Sequence, residues 1–150
     1  MADNFLQETI NAIARALSEE FPDAEIYDTP IRQGLKEPCF RIKCNLPSRS
    51  KIRGDLYVYD YLFDVAYFPE DRTEPEREIR ETTERMQDAL EIVSIRYSDG
   101  EEKPTWNSYP IEFSVVDDVL HAKVAYRGEY LRLPEVSDTI LRADYNLEVN

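Results

Sequence analysis

Residues able to do acid–base, nucleophilic or metal chemistry are few in this 150-residue chain, and their spacing disfavours it. Asp60 and Asp64 share one face of an apparent strand at i and i+4, roughly 13 Å apart by strand rise, too far for two carboxylates to share a proton. Asp117-Asp118 sits between two alternating runs and is better explained as a turn. His121 is the only histidine, and its apolar strand neighbours suit a structural role better than that of a base. Cys39 and Cys44, five residues apart in one apparent strand, point to opposite faces and cannot bridge. A metal site would need more ligands nearby. The four glycines, Gly34, Gly54, Gly100 and Gly128, are too scattered for a phosphate-cradling loop. The chain therefore reads as a non-enzyme without cofactor or metal.

What remains is charge and shape. The net charge of −13 disfavours nonspecific binding to nucleic acid or to an anionic membrane. Its distribution is uneven: residues 31–54 carry Arg32, Lys36, Arg41, Lys43, Arg49, Lys51 and Arg53 against Glu37 alone. A basic patch on an acidic body can steer self-association between unlike faces. No run approaches the roughly 20 apolar residues that span a bilayer, and the N-terminus MADNFLQETI lacks the basic and apolar regions of a secretory signal. Folding in the cytoplasm of the producing cell is the expectation.

The elements that must carry these patches follow from periodicity. Leu6, Ile10, Ile13 and Leu17 predict a helix over about Asn4–Glu20, capped by Asp3 or Asn4 and ended before Pro22. A short strand near Ala24–Asp28 follows. Cys39–Leu46 is expected as a half-buried strand, with Phe40, Ile42, Cys44 and Leu46 pointing one way and Arg41 and Lys43 the other. Pro47 to Gly54, polar, basic and ended by glycine, reads as an exposed, mobile hairpin arm. The longest period-2 run, Leu56–Phe68, is the central strand, with Tyr57, Tyr59, Tyr61, Phe63, Val65 and Tyr67 on one face. A second helix is expected over about Glu74–Ile95, with a solvated charged face that includes Glu78 and Glu81. Residues 98–108, with the single Trp106, read as a polar connection. A hairpin of Tyr109–Val116 and Val119–Arg127 then turns at Asp117-Asp118. Beyond Pro134 the pattern weakens to a short helix (Glu135–Arg142) and a strand or extended tail (Tyr145–Asn150). The expected architecture is a single α+β domain: an antiparallel sheet of four to five strands with two helices on one face.

Four stretches, in order after the first helix, carry a family resemblance: Phe21-Pro-Asp-Ala-Glu-Ile-Tyr27, Gln33-Gly-Leu-Lys-Glu-Pro-Cys-Phe-Arg-Ile42, Phe63-Asp-Val-Ala-Tyr-Phe-Pro69 and Val115-Val-Asp-Asp-Val-Leu-His-Ala-Lys-Val-Ala-Tyr126. To about residue 127 the chain resembles the small tail-terminator (tail-to-head joining) proteins of prophages and phage-tail-like particles of Gram-positive bacteria. It departs at Asp117-Asp118, where that family leads one to expect Asp-Gly, and nothing is carried over beyond Pro134. The resemblance implies a virion protein of the tail or neck that forms a hexameric ring on the last ring of the tail tube, stops tube polymerisation and meets the head's connector. The implied partners are a second copy of the chain, the tail tube protein, the head–tail connector or neck protein, and a sheath protein if the tail is contractile. DNA would pass through such a ring without being gripped, which an acidic body suits.

A ring needs one patch to meet a different patch on the next copy. The basic stretch (Arg41, Lys43, Arg49, Lys51, Arg53), the tyrosine face (Tyr57, Tyr59, Tyr61) and the acidic second helix (Glu78, Glu81) are the expected contact residues. A head-completion or neck adaptor, or a small-ligand or peptide-binding module on the same sheet, are the competing readings.

Overall fold

The computed structural model describes residues 4–29 and 34–131. The fold is built around strand β3 (Leu56–Phe68), whose odd-numbered tyrosines, Phe63 and Val65 face the helices. Its neighbours are β2 (Cys39–Arg53) and β7 (Val119–Leu131), both antiparallel to it. Outside them lie β1 (Glu25–Tyr27) beyond β2 and β6 (Glu112–Val116) beyond β7, giving the order β1-β2-β3-β7-β6. The expected two-helix, five-stranded α+β architecture is present. The sheet is mixed, however, because β1 runs parallel to β2.

Helix α1 (Phe5–Glu20) and helix α2 (Glu76–Leu90) pack on one face of this sheet. The α1 stripe is rotated from the simple apolar pattern. Phe5, Thr9, Ala12, Ile13 and Leu17 are buried, while Leu6 and Ile10 are half-buried. Thr9 tolerates burial because its hydroxyl donates to the Phe5 carbonyl at 2.6 Å. The first residue of α1, Phe5, stacks on Tyr59, and Phe21 just past its end packs on Phe40 near Tyr67. The 16-residue helix, about 24 Å long, thus covers the Tyr59–Tyr67 stretch of β3, roughly 27 Å at strand rise.

The second helix is shorter than its sequence pattern suggests. It stops at Leu90, and Ile92–Arg96 (β4) pairs with Glu102–Trp106 (β5) in a separate two-stranded sheet. Val93 and Ile95 face the core in strict alternation, which β-branched residues fill well on a pleated surface. The stretch expected as a polar connection is therefore half strand. β4 lies against α1, where Arg15 donates to the Ser94 carbonyl at 2.8 Å. Asn107 ties the end of α2 to β7: it donates to the Leu90 carbonyl and accepts from the Ala125 N–H at 3.2 Å. Tyr126 adds a hydroxyl bond to the same Leu90 carbonyl at 2.6 Å.

Asp117 and Asp118 both adopt positive φ, 52° and 63°, as the two-residue turn between β6 and β7 requires. The expected helix at Glu135–Arg142 and the tail at Tyr145–Asn150 lie outside the described residues.

Candidate interaction surface

The basic stretch is the exposed hairpin arm that its sequence suggests, and it is built as strand rather than loop. β2 is one continuous strand whose second half, Pro47–Arg53, pairs with β3 back to a turn at Gly54-Asp55. Gly54 takes φ 46°, a left-handed value that glycine adopts without strain. On its other side β3 pairs with β7 out to Leu131. The ends of β2, β3 and β7 thus form a three-stranded arm projecting past Phe5, which marks the start of the helix layer. Phe5 closes the arm's base against Tyr59, Tyr97 and Tyr130 at centroid distances of 4.9, 4.9 and 4.5 Å.

Two bulges decide where the cations point. Cys44 pairs with Phe63 but Leu46 with Leu62, so Asn45 is an extra residue; Lys51 pairs with Tyr57 but Arg53 with Leu56, so Ile52 is another. Each extra residue inverts the alternation of everything after it. Arg41 and Lys43 therefore lie on the sheet face away from the helices, Arg49 and Lys51 on the helix-side face, and Arg53 on the far face again. Leu46, expected to continue the inward row of Phe40, Ile42 and Cys44, is turned outward and is 62% exposed.

On the far face the candidate acid–base residues form an ionic network instead of a dyad. His121 Nδ1 lies 3.0 and 3.2 Å from the two Asp64 oxygens, and Arg41 Nη2 lies 4.0 Å from Asp64. Lys43 and Lys123 flank Asp64 in register from either side, and Arg127 stands opposite Asp60. Cations and carboxylates are thus interleaved along this face.

Of the three tyrosines expected at contacts, only Tyr57 is partly exposed, stacked on Tyr130 at 5.5 Å. Tyr59 and Tyr61 are corrected to core residues, fully and almost fully buried. Desolvation pushes both hydroxyls up from the ordinary phenol range; a contact with Tyr97 adds to it at Tyr59. Glu78 is also corrected. Its carboxylate accepts from the Tyr67 hydroxyl at 2.6 Å and from the Glu70 and Asp71 N–H groups at 2.7 and 3.0 Å, anchoring the loop before α2. That leaves it little capacity for a partner. Glu81 stays exposed, beside Arg77 at 3.5 Å. Cys39 and Cys44 are unpaired thiols, and burial, with Glu37 and Glu25 nearby, pushes the Cys39 pKa up to about 11. Among the described residues no cluster of three or more His, Cys, Asp or Glu side chains could hold a metal.

Two surface features escaped the sequence reading. Trp106 and Tyr109, 61% and 66% exposed, wall a groove of about 630 Å3 whose other side is Arg127 and Glu129 of β7. Exposed aromatics of this kind are enriched where proteins meet. The lone Trp106 in a polar stretch was the available signal. A second groove, about 380 Å3, runs between α1, α2 and β4.

A family model described as phage tail terminator protein matches residues 8–138. No curated protein matches the chain. One of the solved structures that match is 11% identical, covers 87% of this chain and 98% of that one, and has a TM-score of 0.43.

Proposed function

The chain belongs to the phage tail terminator family, and from that premise we propose that it caps the tail tube as a hexameric ring, ends tube polymerisation and presents its far side to the head. The chain is a structural protein of the phage tail. The observation that carries the capping proposal is the family match across 131 of 150 residues, 8–138 inclusive. The arm supports it, because a projecting element that differs in charge from the helix layer suits a head-to-tail contact that closes into a ring. Arg41, Lys43, Arg49, Lys51, Arg53, Tyr57 and Glu81 are the contact residues in this reading. Tyr59, Tyr61 and Glu78 are left out because the subunit's own core and loop use them.

The implied partners are further copies of the chain, the tube protein below and the connector or neck protein above, with a sheath protein in a contractile tail. The test is solution mass by light scattering, alone and after mixing with tail tube protein, followed by tube length in electron micrographs. A ring-sized mass, free or on tubes, together with arrested tube growth is expected. Tubes that grow on unhindered refute the reading; binding to the connector instead would indicate a neck adaptor.

A further inference from the structure

The tip of the arm and the groove between the helices are complementary, and we propose that the Lys51-Ile52-Arg53 tip of one copy docks in the α1/α2/β4 groove of the next. This rests on the ring reading above and names the contact that closes it.

The tip has an anchor and two free charges. Ile52 is the extra residue of the second bulge, so no β3 residue stands opposite it, and it is 54% exposed at the end of the arm. Lys51 and Arg53 flank it, both exposed, and neither meets a carboxylate among the described residues. The groove offers the counterpart. Its floor is apolar, from Ala12, Ala16 and Ala89 to Ile92, which is 39% exposed. Its rim carries Glu19 and Asp88, again without a cationic partner among the described residues. Arg15 also lines the groove, where it donates to the Ser94 carbonyl, while Arg85 is paired with Glu20 and lies over the Phe21 ring. An exposed isoleucine with one cation on each face of the strand beside it therefore complements an apolar floor whose rim carries two carboxylates that lack a cationic partner among the described residues. A volume of about 380 Å3 exceeds a single aliphatic side chain and leaves room for the flanking stems.

The tip that fills the groove comes from a second copy, not from the same chain. The tip projects beyond the N-terminal end of α1, where Phe5 meets Tyr59, whereas the groove flanks the C-terminal half of the same helix. A chain cannot fold its own tip back along the length of its helix. The contact joins unlike patches, so it propagates from copy to copy and closes only as a ring or runs on as a helix.

The experiment is a reciprocal charge swap on the full chain, read by light scattering alone and on tubes. K51E/R53E and, separately, E19K/D88K should each weaken self-association roughly tenfold or more. The four changes combined should restore it. Circular dichroism checks that each variant is folded. As a second measurement independent of charge, Ile52→Cys with Ala16→Cys should give a ladder of disulfide-linked chains under mild oxidation in the assembled state. Unchanged association in both swaps, or no ladder, overturns the docking while leaving the terminator reading intact if wild-type protein still arrests tubes. Wild-type protein that neither assembles nor arrests tubes overturns both.

Discussion

Gly128 should be irreplaceable, because a side chain there has nowhere to go. It lies directly opposite Tyr59 on the helix-side face of the β3–β7 pair, and the phenol ring lies over it. A methyl carbon at position 128 would fall 2.7 Å from Tyr59 Cε1 and closer still to Cζ and Oη. Carbon–carbon contacts are optimal at about 3.5–4.0 Å, so the ring would have to move by roughly 1 Å. It is not free to do so. Phe5 and Tyr61 stack on it at 4.9 and 5.0 Å, Tyr97 meets its hydroxyl at 3.3 Å, and the residue is fully buried. Overpacking of a filled core costs about 1–3 kcal/mol, and a ring held on several sides belongs at the upper end. Gly128→Ala is expected to lose about 3 kcal/mol by urea denaturation, a fall in Tm of about 6–12 °C at this chain length. The decisive comparison is the same change in a Tyr59→Leu background, which keeps apolar bulk but removes the ring. There Gly128→Ala should be neutral or stabilise by about 0.5–1 kcal/mol, since glycine is itself unfavourable inside a strand. Equal losses in the two backgrounds would refute the assignment of Gly128's role to the ring above it.

Three further outcomes follow from the same interactions. Glu78→Ala removes the acceptor for one hydroxyl and two backbone N–H groups, and should cost about 2 kcal/mol in urea denaturation and admit protease at residues 69–75; Glu78→Gln, which keeps one acceptor oxygen, should cost less. Asp117→Asn with Asp118→Gly supplies the residues favoured at two positive φ angles and separates two adjacent carboxylates, so the urea midpoint should rise, by about 0.5–1 kcal/mol of stability. The Cys39 thiol has a raised pKa in the folded chain, so its contribution is complete below the ordinary thiol range and is lost as pH rises through about 11. Wild-type stability should accordingly fall more steeply between about pH 9 and 11 than that of Cys39→Ala, and Cys39 should resist alkylation until the protein unfolds.

The central strand was legible because its tyrosines alternate over a dozen residues, and the Asp117-Asp118 turn because only a tight turn explains paired acids between two such runs. Other features were illegible for definite reasons. Leu46 extends the alternation of Phe40, Ile42 and Cys44 without a break, so nothing local signals that Asn45 is an extra residue; the bulge exists only relative to β3. Ile92–Ile95 satisfies a helical stripe and a strand alternation equally well, and the pairing with Thr105 and its neighbours decides between them. Glu78 looks like any acid on a charged helix face until the loop that folds onto it is in place. Tyr59 and Tyr61 were visible as a face, but whether a face meets the chain's own helices or another molecule is a tertiary fact. The family, in contrast, was readable from short ordered stretches without any of these details.

The bulge at Asn45 also bears on how such a protein can change. It works as a phase inverter: upstream, β2 is locked in register by Phe40 and Ile42 in the core, while downstream every residue is solvent-exposed and tolerant. Removing that single residue would exchange the two faces of the β2 strand of the arm, sending Arg49 and Lys51 to the side now held by Leu46 and Ser48, with no core side chain altered. For this strand the unit of variation in partner contact is therefore the insertion or deletion. A chain obliged to keep its core while its neighbours drift can re-dress its projecting arm in one step.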